Sequence, residues 1–193
     1  LNADGALDVV TATRVVPPTV SVVLGDGQGA FGVVTKFKAS NRPGLVFPIA
    51  PATITSGDVD GDGHMDVLVG NRGLDVLDGE AWLLAGDGSG ALADPVAPPG
   101  VVVLAPGFLD LVDLDGDGRL DVINADHDPT LATIIGSLGA SAFSICLASG
   151  DGEGTFEHTA CLTTGDYPHE VASGDLNGDG KLDLVTVDSG SDR

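Results

Sequence analysis

Acidic residues recur at alternate positions of short, glycine-containing segments, an arrangement suited to binding a hard cation. In the stretch GDVDGDGHMDVLVG, Asp58, Asp60 and Asp62 occupy positions 1, 3 and 5 of a loop, and Asp66 occupies position 9. Alternate side chains of a tight loop can turn inward together, and Ca²⁺ prefers six to eight oxygen ligands, carboxylates prominent among them. The segment is therefore predicted to form a calcium loop.

Three further segments repeat this pattern. The predicted ligand sets are Asp58, Asp60, Asp62, His64 and Asp66; Asp113, Asp115, Asp117, Arg119 and Asp121; Asp175, Asn177, Asp179, Lys181 and Asp183; and the incomplete set Asn2, Asp4 and Asp8. The residue at position 7 would bind through its main-chain carbonyl, which explains why its side chain varies so widely. Three complete Ca²⁺ sites and a fourth, partial site are expected.

The first half of each loop is similar to an EF-hand, but the second half is not. An EF-hand requires a bidentate glutamate at position 12 and flanking helices. Position 12 is Val69, Asn124 or Thr186 here, and the following residues have the pattern of a strand. Magnesium binding and metal-free Asx turns are the alternatives. Without a cation, however, three or four carboxylates in one loop would repel each other.

The acidic loops belong to a longer repeat. Equivalent positions are 58, 55 and 62 residues apart; they are Asn2, Asp60, Asp115 and Asn177. A second pattern, a Gly-Asp-Gly turn, lies between successive loops, at 22–31, 83–92 and 146–156. Two patterns that alternate at a common period are typical of a repeat protein.

Each unit is predicted to contain four short antiparallel strands, as in a blade of a β-propeller. The fold class is therefore all-β, with units at approximately 1–51, 52–106, 107–168 and 169–193, the first and last incomplete. These amount to about three to three and a half blades. Because both ends supply the same strand of a unit, we expect missing segments or other chains to complete the ring.

Composition excludes some classes of partner. The formal charge of −21 disfavours nucleic acid and anionic membranes, and no apolar run is long enough to span a membrane.

Cys146 and Cys161 flank one Gly-Asp-Gly turn almost symmetrically, so a cross-strand disulfide and an oxidising compartment are predicted. Two buried free thiols are the alternative.

The paired motifs, D-x-[DN]-x-D-G-x-x-D before a strand and a recurrent GDGxG turn, resemble FG-GAP/VCBS repeats over essentially the whole chain. The resemblance implies a seven- or eight-bladed, integrin-α-like propeller, extracellular or at the cell surface, with calcium at the loops that join each blade's first two strands. The family includes adhesins, lectins and propeller enzymes acting on sugars. It therefore implies no single activity.

Recognition is predicted on the face opposite the calcium loops, where a protein or glycan could bind. The candidate residues are Asp126, His127, Asp128, Tyr167, His169 and Glu170. A solvated cluster of loop residues is the alternative. Three functions stay open: a calcium-stabilised binding or adhesion module, a propeller lyase or hydrolase acting on polysaccharide, and a structural segment of a surface assembly. No catalytic residue is assigned, and an enzyme is not expected.

Overall fold

The computed structural model describes residues 1–14, 17–42, 50–72, 79–101, 103, 106–126 and 144–190. Within these residues the chain forms β-strands and no helix. The strands are β1 (Val9–Thr13), β2 (Thr19–Val23), β3 (Thr35–Lys38), β4 (Ala50–Gly57), β5 (Asp66–Arg72), β6 (Glu80–Leu84), β7 (Pro106–Val112), β8 (Asp121–Asp126), β9 (Ser144–Gly150), β10 (Phe156–Thr163), β11 (Pro168–Gly174) and β12 (Asp183–Asp188).

These strands form four antiparallel sheets in which sequence neighbours pair. Sheet I contains β1–β3, sheet II β4–β6, sheet III β7–β10 and sheet IV β11–β12. Strand β4 contacts β1 and β7, and β7 also contacts β11, so successive sheets lie side by side. The described part of the chain is a row of partial propeller blades that does not close into a ring, which confirms the predicted all-β propeller class.

The two middle sheets are buried on both faces, and their strands are apolar for that reason. Successive side chains of a strand point to opposite faces. On β5, Val67 and Val69 pack toward sheet I, whereas Leu68 packs toward sheet III. On β8, Val122 packs toward sheet II and Ile123 toward sheet IV. Each sheet-to-sheet contact therefore has its own apolar core.

The second unit differs from the expected four strands. After β6, the described residues pair back through two isolated bridges, Gly86 with Leu92 and Leu83 with Val96, the latter with N–H···O distances of 2.8 and 2.9 Å. The segment 94–100 contains three prolines, which lack the N–H needed for a ladder. Isolated bridges take the place of the fourth strand in the described part of this unit.

The Gly-Asp-Gly turns are held by their own aspartates. Asp87 Oδ1 accepts the N–H groups of Ser89 and Ala91, at 2.8 and 3.2 Å, and the Ser89 hydroxyl at 2.6 Å. Asp26 and Asp151 make the same pair of main-chain contacts in sheets I and III. The Ser89 hydroxyl and N–H lower the pKa of Asp87 below its usual value of 3.8.

This lowered pKa predicts a pH-dependent contribution to stability. A carboxyl group whose pKa is lower in the folded protein stabilises it above the unfolded pKa, and that contribution is lost as the pH falls through the folded value. We expect Asp87→Asn, which keeps the turn's acceptor oxygen, to lower the free energy of unfolding at neutral pH. The gap to the wild type should close below about pH 3.8, as measured by denaturant titration at several pH values.

Asp94→Asn is the matched control, because it removes the same charge from an exposed acid outside the turns. A gap between wild type and Asp87→Asn that stays constant on acidification would contradict the assignment.

Candidate metal centres

The acidic loops share one hydrogen-bonding pattern that begins at position 1. Asp58 accepts the N–H of Gly61 through Oδ1 at 2.9 Å and that of Gly63 through Oδ2 at 3.0 Å. Asp113 and Asp175 bind the N–H groups of the equivalent glycines. Each of these glycines has a positive φ, between 74° and 87°. The loop bends twice around the first carboxylate, a conformation for which glycine is the default residue.

Positions 3 and 5 continue the pattern toward the strand. Asp60 Oδ1 accepts the N–H of Asp62 at 3.2 Å, and Asp62 Oδ1 accepts that of His64 at 2.8 Å. One carboxylate oxygen from each of Asp58, Asp60 and Asp62 lies within 4.8 Å of the others. Carboxylates this close can share a single cation, and each oxygen bound to one N–H keeps a second lone pair for it.

The second loop gathers a different set of carboxylates. Asp113, Asp115 and Asp121 bring their oxygens within 4.8 Å of one another. Asp117 instead lies 3.6 Å from the Arg119 guanidinium, through its Oδ2. The side chain of position 7 can therefore compete with a cation for the carboxylate of position 5.

The two remaining loops fit a cation unequally. The loop at 175–183 repeats the hydrogen bonds of the complete copies, with Asn177 Oδ1 accepting the Asp179 N–H at 2.8 Å. In the first copy, Asn2 donates its amide to Asp4 at 2.8 Å. That donor occupies an oxygen that a cation would need, so the partial site fits a metal least well.

The aspartate at position 9 joins each acidic loop to the Gly-Asp-Gly turn of the same sheet. Asp66, with 0% of its surface exposed, accepts the Val59 N–H at 2.9 Å and the Gly86 N–H at 2.8 Å. Asp121 makes the equivalent bonds to Leu114 and Gly150, both at 2.9 Å. Position 9 was predicted as a metal ligand, and sequence reasoning missed this second role. Its signal is the order of the motifs, because an aspartate at position 9 of an acidic loop precedes each Gly-Asp-Gly turn.

The negative charges around the buried carboxylate of Asp66 suit a cation bound beside it. Burial raises the pKa of Asp66, although the Gly86 and Val59 N–H groups oppose the shift. The charges of Asp60 and Asp62 raise it further. A cation between these carboxylates would offset the repulsion that they impose on the buried group.

Acidic loops also contact the Gly-Asp-Gly turn of the following sheet. A Cβ built on Gly61 of sheet II would lie 3.1 Å from the carbonyl oxygen of Gly152 in sheet III, and one on Gly154 would lie 3.8 Å from Asp60 Cβ. The Arg119 side chain packs over Gly152 as well, 3.3 Å from a Cβ built there. The loops therefore lie where neighbouring sheets meet.

The residues predicted on the opposite face are only partly described. Asp126 ends β8 at the strand end remote from the acidic loop, while His127 and Asp128 lie outside the described residues. Tyr167 has a positive φ of 60°, and its carbonyl accepts the Ser189 N–H at 3.1 Å. His169 and Glu170 are exposed at the start of β11, also remote from the acidic loop.

A β-bulge lies at the start of β11. The pairing of β11 with β12 shifts between Pro168 and Glu170, and the pairings of β4 and β7 shift after Pro51 and Pro106 in the same way. Bulges commonly re-aim side chains at sheet edges. Here the bulge places His169 and Glu170 on exposed surface.

The two cysteines lie directly opposite each other on β9 and β10 and are joined by a disulfide. The nearby His158 Nε2 lies 3.3 Å from Cys161 Sγ. The bond links edge strand β10 of sheet III to its neighbour β9.

The position-9 aspartates yield a prediction about stability. Asp66→Ala would leave two N–H groups without their acceptor, at about 1–3 kcal/mol for each buried group. We expect a loss of about 2–5 kcal/mol in the free energy of unfolding, measured by denaturant titration in chelator. Asp183→Ala is the matched control, because Asp183 occupies the same loop position and accepts the Leu176 N–H, at 3.1 Å, in an exposed part of the chain. Equal losses in both variants would contradict the role assigned to Asp66.

Within the described residues, no helix has the length and apolar character needed to cross a membrane.

A comparison with curated proteins gave no match. The chain does match the FG-GAP-like repeat three times, at residues 1–69, 58–124 and 113–186. Each match runs from one acidic loop through the Gly-Asp-Gly turn to the next acidic loop, so it contains both motifs described above. Repeats of this family are typical of extracellular proteins. Because the matches cover nearly the whole sequence, the chain belongs to the FG-GAP-like repeat family.

Proposed function

We propose that the protein is a calcium-stabilised extracellular module whose propeller-like sheets present a binding or adhesion surface. The observation that supports this most directly is the convergence of three carboxylates in each of two acidic loops, at the same position of two successive sheets. The third complete loop repeats their hydrogen bonds. We therefore expect three calcium ions per chain, one for each complete loop.

Calcium suits these loops better than the alternatives do. The ligands are oxygens only, and the glycine-rich loops allow the irregular six- to eight-fold coordination that Ca²⁺ accepts; Mg²⁺ demands a near-ideal octahedron. Asx-type hydrogen bonds are present in every loop, but each such turn requires only one carboxylate or amide oxygen. Three convergent carboxylates exceed what the turns need.

The proposed role of the ion is structural. It would neutralise the loop between the first and second strands of a unit, where that loop contacts the turn of the following sheet. Ligands that bind only the folded state stabilise it by mass action, by about 2.7 kcal/mol at a hundred times Kd. Calcium would thereby hold neighbouring sheets in register.

The proposed recognition surface lies at the strand ends remote from the calcium loops. Tyr167, His169 and Glu170 combine an aromatic ring, an imidazole and a carboxylate at the start of β11. Such a set suits a protein or glycan ligand, since it offers stacking and hydrogen bonding together. The disulfide supports an extracellular location, because such bonds persist in oxidising compartments.

Substitution of aspartate by asparagine separates calcium binding from turn formation. Asp60→Asn and Asp115→Asn keep an oxygen that can accept the Asp62 and Asp117 N–H groups, but remove a charge from the cluster. We expect titration calorimetry to show three Ca²⁺ per wild-type chain and at least tenfold weaker binding at the substituted loop. Calcium should also raise the melting temperature of the wild type.

Asp94→Asn removes the same charge from an exposed acid outside the loops, and should bind calcium as the wild type does. A melting temperature that does not respond to calcium, with no metal detected by elemental analysis, would show that the loops are metal-free Asx turns.

The recognition surface has a separate test. We expect binding of the wild type to at least one member of a panel of immobilised glycans and extracellular proteins, with Glu170→Ala weakening it at least tenfold. Glu153→Ala is the control, since it removes the same exposed side chain from a turn beside the calcium loops. Equal effects of the two substitutions would rule out the proposed face.

A further inference from the structure

A histidine lies beside the disulfide of sheet III. His158 Nε2 is 3.3 Å from Cys161 Sγ, and both residues are exposed on β10. One potential ligand atom from each of Cys146, His158 and Cys161 lies within 4.8 Å of the other two. We name these three residues the Cys-His cluster. It is separate from the acidic loops and from the proposed recognition surface.

A β-bulge brings the imidazole to the disulfide. His158 and Cys161 are three residues apart, and side chains at that spacing point to opposite faces of a regular strand. Across the ladder, however, His158 lies opposite Ala148. Cys161 lies opposite Cys146, which is two residues from Ala148 on β9, so His158 and Cys161 project from the same face. Thr159 is the extra residue of the bulge.

Hydrogen bonds hold this bulge in place. Thr159 Oγ1 accepts the Ser149 N–H at 3.3 Å and lies 3.0 Å from the Ser149 hydroxyl. It also donates to the carbonyl oxygen of Glu157 at 3.2 Å. Bulges commonly re-aim side chains, and here the backbone itself directs His158 toward the cysteines.

The ladder between β9 and β10 would keep the two cysteines together after reduction. Their Cα atoms are 4.1 Å apart. Pairing with β9 continues on both sides of Cys161, at Ala160 and at Leu162. Directly opposite side chains of an antiparallel pair stay within contact distance, so only the sulfur atoms need to separate. The reduced chain would therefore present two thiols and an imidazole at one place.

This set of side chains suits Zn²⁺. Bonds of about 2.3 Å to sulfur and about 2.1 Å to nitrogen, in a tetrahedron, place a ligand nitrogen about 3.6 Å from a ligand sulfur. The distance of 3.3 Å between His158 Nε2 and Cys161 Sγ is close to that value. Three protein ligands leave a fourth position for water, which can reach the metal because His158 and Cys161 are exposed.

We propose that reduction of the Cys146–Cys161 disulfide opens a zinc site formed by both cysteines and His158. Two external thiols supply two electrons and two protons: they become a disulfide, and the two cysteines become thiols. Zn²⁺ then displaces the two thiol protons, binds both sulfurs as thiolates and takes the neutral imidazole as its third ligand. The disulfide and the zinc site exclude each other, because a metal requires the thiolate form of cysteine. Neither calcium binding nor the recognition surface enters this inference.

Cobalt absorption tests the proposal on the full chain. Co²⁺ takes the place of Zn²⁺ in tetrahedral sites, and with thiolates it gives a charge-transfer band that carboxylates do not give. A water-soluble phosphine reduces the disulfide and leaves as its oxide, with oxygen from water, while saturating Ca²⁺ occupies the acidic loops. We expect the band in the reduced chain, its loss when Zn²⁺ is added, and no band in the oxidised chain. Zn²⁺ should also raise the melting temperature of the reduced chain more than that of the oxidised chain.

Substitutions distinguish a three-ligand site from a pair of thiols. His158→Ala should weaken Zn²⁺ binding to the reduced chain by at least about tenfold, because changes to the partners of metal ligands already cost about 10- to 100-fold. Cys161→Ser, which leaves a single thiol, should remove most of the charge-transfer band. Glu157→Ala is the matched control, since Glu157 is exposed beside His158 but on the opposite face of β10. This variant should bind Zn²⁺ as the wild type does.

Three results would overturn the proposal. The first is a reduced wild-type chain that shows no charge-transfer band, and the second is a His158→Ala variant that binds Zn²⁺ as tightly as the wild type. The third is a band that appears only with loss of the β-sheet circular dichroism spectrum, because an unfolded chain would then hold the metal. The oxidised His158→Ala chain should melt as the oxidised wild type does, which shows that the substitution affects the metal site alone.

Discussion

Two buried carboxylates, those of Asp66 and Asp121, connect the separate motifs of this chain. Each accepts one N–H from its own acidic loop and one from the glycine that begins the Gly-Asp-Gly turn, some twenty to thirty residues later. Burial of a charged group is costly unless it is paired or hydrogen-bonded, so these two bonds are what make the position tolerable. They fix the strand after the loop against the strand before the turn, and the rest of each unit follows from that register.

The second requirement is that the two middle sheets be covered on both faces. A strand such as β5, with Val67, Leu68 and Val69 all buried, has no polar side to present to water. Such a unit is stable only in a row, because each neighbour supplies half of the core. The repeat in the sequence and the row of sheets in the structure are two consequences of this one condition.

The sequence predicted the fold class, the spacing of the units and the strands on either side of each acidic loop, because these depend on local patterns. It did not predict the loss of the fourth strand in the second unit, where prolines interrupt the ladder around Val96. Nor did it predict which carboxylates converge. Asp62 joins the cluster in one loop, whereas Asp117 pairs with Arg119 and stays outside the cluster of the other. Such choices depend on contacts between side chains, which spacing alone does not reveal.

The disulfide between Cys146 and Cys161 has a consequence for the order in which sheet III can open. Strand β10 is an edge strand that pairs only with β9 in this sheet, and an edge strand has fewer contacts to hold it than an inner one. The covalent link closes a segment of 15 residues and restricts the unfolded chain, by about 3 kcal/mol in the loop-entropy account. If a pulling force acts on the chain, β10 cannot peel away from β9 beyond Cys161, so the load passes to the pairing of β9 with β8.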